Sequence, residues 1–375
     1  MLGKPYFTGI AGSVKNPKEL GVKDLFSKAG ANTGNFIFVS ALRTILNRPE
    51  SIYQHQADVV FDKDKYDFVA ISAANWINPD VELDRITAFI ESTDLPCLVV
   101  GLGAQISLDN ELPTLKKSTE RFLKVISERS KTISVRGENT QQALAKYGVS
   151  NTTVTGCPSL LLYQQRKTQQ EVISKTEKPL KLVFQGTRHD INPKVFKADK
   201  VSQINMQVYR YAYSNKQHLL LQSELPDLYH VMKRFSNPEI IESGKPFLEK
   251  VYEDNIGSIS QYLRQYGLVY WDLDTWLNEL RSYDFLIGTR IHGCVSALLA
   301  GIPTVLLAHD MRTKELAEKL SIKYVDVREI PDFNTEFVEK IVHEPYDWEK
   351  FNNTMTHYRS AFKAFFDENN VATTL

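Results

Sequence analysis

The sequence predicts an α/β protein built as two Rossmann-like domains facing a cleft. Three observations predict it. Short, nearly continuous apolar runs alternate with longer amphipathic ones, the rhythm of a parallel sheet with crossover helices. That rhythm halts in a polar stretch at 163–181 and then restarts. The chain has 375 residues, more than one hydrophobic core usually serves.

In the first half, YDFVAISA (66–73), PCLVVGLG (96–103), KTISVRG (131–137) and TTVTG (152–156) read as strands. Residues 33–47, 80–91, 113–128 and 138–147 read as helices between and around them. Together they make a first domain over 1–165. The Gln/Lys-rich YQQRKTQQEVISKTEKPLK (163–181) reads as an interdomain linker. The second domain, 178–345, begins with strand KLVFQG (181–186) and continues with HLLLQ (218–222), LVYWD (268–272), DFLIG (284–288) and PTVLLA (303–308). Its helices are expected at 225–235, 246–253, 257–266, 274–282, 291–301 and 312–320. In the tail, Trp348, Phe351, Tyr358, Phe362 and Phe365 recur at roughly helical spacing. The segment 346–375 is therefore expected to form a C-terminal helix packing across the domain junction.

The totals narrow the function. Lys plus Arg is 45 and Asp plus Glu is 45, so the net charge is zero and no basic stripe suggests a nucleic-acid partner. An anionic ligand must then be met by a few local groups rather than by a global field. Cys97, Cys157 and Cys294 form no CxxC pair, which fits neither a disulfide framework nor a zinc site. No metal is expected. The N-terminus lacks a signal-peptide core and no apolar run is long enough to span a bilayer. A cytoplasmic protein is expected, with peripheral contact to the inner membrane left open.

Ligands of open α/β sheets bind beyond the carboxyl ends of the strands, so the loops there carry the candidates. Strand DFLIG runs into Gly288-Thr289-Arg290-Ile291-His292-Gly293 and then straight into a helix. A helix N-terminus offers unpaired N–H groups and a positive dipole end. An arginine there grips a carboxylate or phosphate with two hydrogen bonds, and imidazole exchanges protons near neutral pH. The bland alternative makes Arg290 a surface ion-pair partner and His292 a satisfied core histidine. Arg188 and Arg136 stand at other strand ends as further candidates for anion contact, each with a salt-bridge role as its alternative. Arg312 and Lys314 follow another strand end. Gly101 and Gly103 would let backbone approach an acceptor, or simply make a tight turn. Asn32 or Thr33 would cap the first helix, and Asn32 or Asn35 would alternatively touch substrate. Asn75 and Trp76 follow a strand and would serve a sugar or the core. Cys157 in GCPS reads as a buried structural thiol. The aromatic, polar segment 187–217 would line the acceptor side.

Three blocks in order resemble the polysaccharide pyruvyltransferase family. FLIGTRIHGCVSALLAGIPTVLLAHDMRTKELAEKL is similar to its closing signature, an Arg-x-His at a strand end, an alanine-rich helix and a Gly-x-Pro turn. ISVRGENTQQALAKYGVSNTTVTGCPSLLL (133–162) is similar to its Val-Arg-acid block, and GANTGNFIFVSALRTIL (30–46) to its opening Gly-Asn-x-Gly-Asp turn. Two departures stand out: Asn35 replaces the acid of the opening turn, and Gly137 follows Arg136 with the acid displaced to Glu138.

The resemblance implies a fold of the GT-B type, with an acceptor side in the first domain and a donor side in the second. It implies a transferase moving a pyruvyl (carboxyethylidene) group from phosphoenolpyruvate to two hydroxyls of a sugar, forming a ketal. The acceptor would be a surface glycan or exopolysaccharide precursor, lipid-linked or free, and no cofactor is implied. Arg290 would clamp the donor and His292 would transfer a proton or hold the departing phosphate. Backbone around Thr289 and Ile291 would complete the seat, with Arg136, Arg188, Asn32, Asn35, Gly103 and Arg312 as further contacts. Two alternatives stay open. One is a nucleotide-sugar glycosyltransferase of the GT-B type, with Asp272, Asp274 or Asp310 as its ribose-binding acid. The other is a non-catalytic glycan-binding relative, which Asn35 would suit.

Overall fold

A computed structural model of the chain describes residues 1–47, 61–104, 114–164, 179–188 and 199–375, except the side chains of Met311 and Arg312. Most of the expected linker, Gln105 and residues 189–198 of the aromatic segment lie outside the described residues.

In chain order the elements are β1 (Pro5–Thr8), α1 (Val22–Lys28), α2 (Asn35–Ile45), β2 (Phe68–Ser72), α3 (Asp84–Thr93), β3 (Cys97–Val100), α4 (Lys117–Arg129), β4 (Ile133–Val135), α5 (Glu138–Lys146) and β5 (Thr152–Val154). They continue with β6 (Leu182–Gln185), α6 (Lys200–Ser214), β7 (His218–Leu220), α7 (Leu225–Met232), α8 (Pro238–Tyr252), α9 (Ile256–Tyr266) and β8 (Gly267–Leu268). The last are α10 (Leu273–Leu280), β9 (Phe285–Gly288), α11 (Ile291–Ala300), β10 (Thr304–Ala308), α12 (Met311–Lys319), β11 (Tyr324–Asp326), α13 (Thr335–His343) and α14 (Trp348–Glu368). Among the described residues every strand pairing is parallel, and the chain is an α/β protein of Rossmann-like character.

The chain divides into two compact units. One comprises Met1–Ala11, Phe38–Leu162 and Asn353–Leu375; the other comprises Gly12–Ile37 and Tyr163–Asn352. The sequence reading kept all of 1–165 together, whereas Gly12–Ile37 groups with the later residues. Its backbone explains why: Val14 N donates to Trp271 O at 2.8 Å and Thr33 N to Gln222 O at 3.1 Å.

In the first unit, β1, β2 and β3 pair side by side, and β4 pairs with β5. A bridge between Leu102 and Val135 carries the parallel run from β3 to β4. β2 and β3 are buried on both faces, which is why their sequences show no alternation. α4 turns Phe122, Leu123, Val125 and Ile126 onto that sheet.

The second unit holds a six-stranded sheet ordered β11-β10-β9-β6-β7-β8. Starting from β6, the chain moves outward to β7 and β8, then returns to place β9, β10 and β11 on the other side. This is the Rossmann order, and it reverses between β6 and β9. Helix starts are capped by side chains: Asp199 for α6, Asn255 for α9, Asp272 for α10 and Asp310 for α12. α11 is apolar nearly all round because it is buried nearly all round, and it ends at Gly301 in the left-handed conformation.

Several elements were not read from the sequence. β1 and β11 have four and three residues, too few for a period to show. α6 hides its periodicity in polar and aromatic residues, burying Ile204, Val208, Tyr209 and Ala212 as one stripe. The expected strand 268–272 shrinks to Gly267–Leu268, because Asp272 is committed to capping α10. Among the described residues no helix is long and apolar enough to cross a membrane.

A candidate anion site at the switch point

The order reversal puts β6 beside β9, with Gln185 in register with Gly288. Just beyond, the two strand ends are stitched together. Thr289 N donates to Gln185 O at 2.9 Å, and the Thr187 and Thr289 hydroxyls share a hydrogen bond of 2.6 Å. Thr289 is fully buried. The two loops therefore leave the sheet as one rigid pair, carrying Arg188 and Arg290.

Arg290 is the N-cap residue of α11, in extended backbone, and its side chain does not cap the helix. Its side chain is only 12% exposed. Nη2 donates to Glu224 Oε1 at 2.8 Å, to Ser223 Oγ and, at 3.5 Å, to Arg188 O. Nε is buried with no hydrogen-bond partner among the described residues. Glu224 is buried as well, and its Oε2 accepts from Gln222 N at 2.8 Å and Ser223 N at 2.9 Å. Burial pushes the Glu224 carboxyl up, but Arg290, Arg188 and the two N–H groups outweigh it and hold it below its ordinary value.

Arg188 repeats the pattern. Its Nη2 donates to Asp227, which also accepts from Tyr252 Oη at 2.7 Å. Its guanidinium lies 4.5 Å from the Tyr209 ring centroid and 5.1 Å from that of Phe247. Nε and Nη1 have no partner among the described residues, and neither has the Tyr209 hydroxyl. Burial opposes charge on Arg188, but Asp227 more than restores it. Each buried donor left unpaired costs about 1–3 kcal/mol, so a ligand that accepts from these hydrogens is favoured here.

His292 sits in the first turn of α11 and is buried. The turn 30–34 packs onto it. A Cβ at Gly34 would lie 3.0 Å from His292 Cβ, 3.0 Å from Asn32 Oδ1 and 3.1 Å from Gln222 Nε2. A side chain here would press on all three neighbours. At Gly293 a Cβ would fall 1.8 Å from Gln185 Oε1, so the buried Gln185 amide would have to move. Gln185 and Gln222 are both buried with neither amide atom partnered among the described residues. The strand ends bring together a helix N-terminus, with His292 in its first turn, and two linked arginines that each have an unpartnered nitrogen among the described residues. Such a set can hold an anion and exchange a proton beside it.

A sequence model of the polysaccharide pyruvyl transferase family matches residues 14–311. The chain belongs to the polysaccharide pyruvyl transferase family. The match runs from the segment ahead of α1 to the start of α12, so it includes both arginine loops and the opening turn. No curated protein sequence matches this family member. Among solved structures, S. aureus MnaA with UDP is 14% identical with a TM-score of 0.38, covering 81% of this chain and 74% of that one. Anabaena Alr3699/HepE in complex with UDP and glucose gives 11% and 0.36, covering 81% and 74%. UDP-GlcNAc 2-epimerase from Methanocaldococcus jannaschii gives 11% and 0.34, covering 84% and 75%.

The other expected site residues of this pyruvyl transferase family member fall as follows. Asn32 Oδ1 accepts from Gly34 N at 2.9 Å, closing the turn against His292. Asn35 donates its amide to Ala29 O at 3.0 Å and Gly30 O at 3.2 Å, a bonding that an aspartate cannot make. Asn35 is thereby tied to the end of α1. Arg136 lies in the first unit, where Nε donates to Gly101 O at 2.8 Å and Nη2 to Ala73 O at 3.3 Å, clasping the ends of β3 and β2. Gly103 is also there, bonded through its N to Ala74 O at 3.0 Å. Ile291 opens α11. The side chain of Arg312 lies outside the described residues. Cys157 is buried, with Sγ 3.1 Å from Ser159 Oγ. The Cys294 thiol is pushed up to about 12 by burial, and so is unreactive.

Sequence reasoning missed Gln185, Gln222, Ser223, Glu224, Asp227 and Tyr209. The stretch QSELPDL (222–228) held a signal: two acids three apart where a strand gives way to a helix. Acids in a first helical turn usually serve the helix dipole, which conceals their second use here.

Proposed function

We propose that this protein transfers a pyruvyl group from phosphoenolpyruvate to two hydroxyls of a sugar in a surface glycan or exopolysaccharide precursor. The observation that supports the reading is the junction of the β6 and β9 loops at the sheet's switch point, where Arg290 Nη2 donates to Arg188 O while Arg290 Nε and Arg188 Nε and Nη1 have no partner among the described residues. Family membership supports the transferase class.

Both arginines are already balanced by carboxylates, Arg290 by Glu224 and Arg188 by Asp227. The pull on the donor then comes from directed N–H groups: Arg290 Nε, Arg188 Nε and Nη1, and the first turn of α11. Arg188 is the second grip in this reading, because its carbonyl already accepts from Arg290, whereas Arg136 is spent on strand-end carbonyls. His292 transfers the proton. C3 of the donor gains that proton and C2 becomes electrophilic. One sugar oxygen bonds to C2 while its hydrogen leaves. The bond from C2 to the phosphate oxygen then breaks, inorganic phosphate departs, and the second hydroxyl closes the ketal as it loses its hydrogen. Of the two hydroxyl hydrogens, one replaces the proton given to C3 and one leaves with phosphate.

The glycosyltransferase alternative needs a ribose-binding acid. Of the three acids weighed for it, Asp272 and Asp310 cap helices, accepting from Thr275 N at 2.7 Å and Thr313 N at 2.6 Å, and Asp274 lies in the first turn of α10. The test is phosphate release from phosphoenolpyruvate over a panel of sugars, beside thermal shifts with phosphoenolpyruvate, UDP and GDP. The reading expects phosphate release and a shift with phosphoenolpyruvate. A shift with a nucleotide and none with phosphoenolpyruvate would replace it with glycosyl transfer.

A further inference from the structure

We propose that the loop Gln222-Ser223-Glu224 is the positioning element of the Arg290–His292 pair, with Glu224 fixing the direction of the Arg290 guanidinium. This rests on the pyruvyl-transfer reading.

Arginine carries a long, rotamer-rich side chain, and a donor clamp works only if its planar fork is held in one orientation. Among the described residues, the hydrogen bonds of Arg290 run from Nη2. Nη2 takes Glu224, Ser223 and the Arg188 carbonyl, and Nε is left without a partner among the described residues. The loop thus grips Nη2 and leaves Nε for a ligand. Two of the three acceptors belong to adjacent residues of this loop.

The gripping carboxylate is itself fixed. Glu224 Oε1 faces Arg290, while Oε2 accepts from the backbone N–H groups of Gln222 and Ser223. Glu224 is the N-cap residue of α7 and cannot swing away without giving up both bonds. The same three residues reach the histidine. Gln222 O accepts from Thr33 N at 3.1 Å, docking the turn whose Gly34 lies against His292 Cβ. Gln222 Nε2 reaches that same point. One tripeptide therefore sets the guanidinium directly and docks the opening turn against His292 Cβ. Glu224 touches no reacting atom in this scheme; it acts through Arg290.

The test titrates phosphoenolpyruvate and inorganic phosphate into the wild-type chain, Glu224→Gln, Ser223→Ala, Arg290→Ala and the double variant Glu224→Gln/Arg290→Ala. Circular dichroism checks each fold, and kcat and KM are taken for phosphate release. Glu224→Gln keeps the shape but loses the charge, and whichever way its amide turns, its NH2 faces a donor, either Arg290 or the two backbone N–H groups. Its donor affinity is expected to fall roughly tenfold or more. On the Arg290→Ala background the same change should cost nothing further, because residues acting through one another are not additive. Ser223→Ala should give a smaller loss in the same direction. The inference is overturned if Glu224→Gln binds donor as the wild type does, or if its loss adds in full to that of Arg290→Ala. Should Glu224→Gln fail to fold, Ser223→Ala decides, and unchanged donor affinity there overturns the inference. A wild-type chain that binds neither anion overturns the pyruvyl-transfer reading and this inference together. Donor binding with a silent Glu224→Gln overturns the inference alone.

Discussion

At the scale of single residues, Arg290 and His292 have separable jobs. Arg290→Ala removes a donor to the ligand and leaves Glu224 buried without its counter-charge, so binding and stability should fall together. Breaking a buried pair from one side costs about 3–5 kcal/mol. Arg290→Lys keeps the charge but not the planar fork, and should also lose donor affinity. His292→Ala should lower kcat by roughly a hundredfold or more while leaving donor affinity near normal. Calorimetric titration and initial rates separate these outcomes, and near-normal activity in either alanine variant contradicts the assigned role. The pair itself was legible in the sequence because two polar residues stood between apolar runs where a strand meets a helix. Their partners were not. Glu224 and Asp227 are remote in the chain from the arginines they hold, and only the adjacency of β6, β7 and β9 brings them together. Asn35 was legible as a departure, but its reason, two carbonyls at the end of α1, needed the fold.

At the scale of elements, the N-terminus of α11 depends on close packing against β6. Gly293→Ala would drive a methyl onto the Gln185 amide, and overpacking of this kind costs about 1–3 kcal/mol. The expected result is a lowered melting temperature and weakened donor binding, partly restored in Gly293→Ala/Gln185→Ala. A Gly293→Ala variant with wild-type stability and affinity would contradict the packing. Elements with strong periodicity were read well from the sequence: α4, α5 and α9 fall within a few residues of their expected bounds. Those that failed did so for physical reasons. β11 has three residues, and α6 buries a stripe whose Tyr209 and Asn205 look polar in sequence but lie inside.

At the scale of the whole molecule, zero net charge means that the anion site is local, and so is much of the pH response. Burial lowers the imidazoles of His218 and His230 below the ordinary histidine value. The unfolded chain therefore takes up protons that the fold resists. Stability from these groups is complete above about pH 6.5 and is lost as the pH falls through the lower folded values. The apparent melting temperature should decline between about pH 7 and 5, and a flat profile over that range contradicts the burial of these rings. The central claim is that a small doubly charged acid lodges where β9 meets α11. The measurement that tests it most directly is a crystal structure of the chain with phosphoenolpyruvate bound. The account predicts the donor at the first turn of α11, with oxygens on Arg290 and Arg188 and His292 beside C3. Donor bound elsewhere, with Arg290 still facing only Glu224 and Ser223, would contradict it.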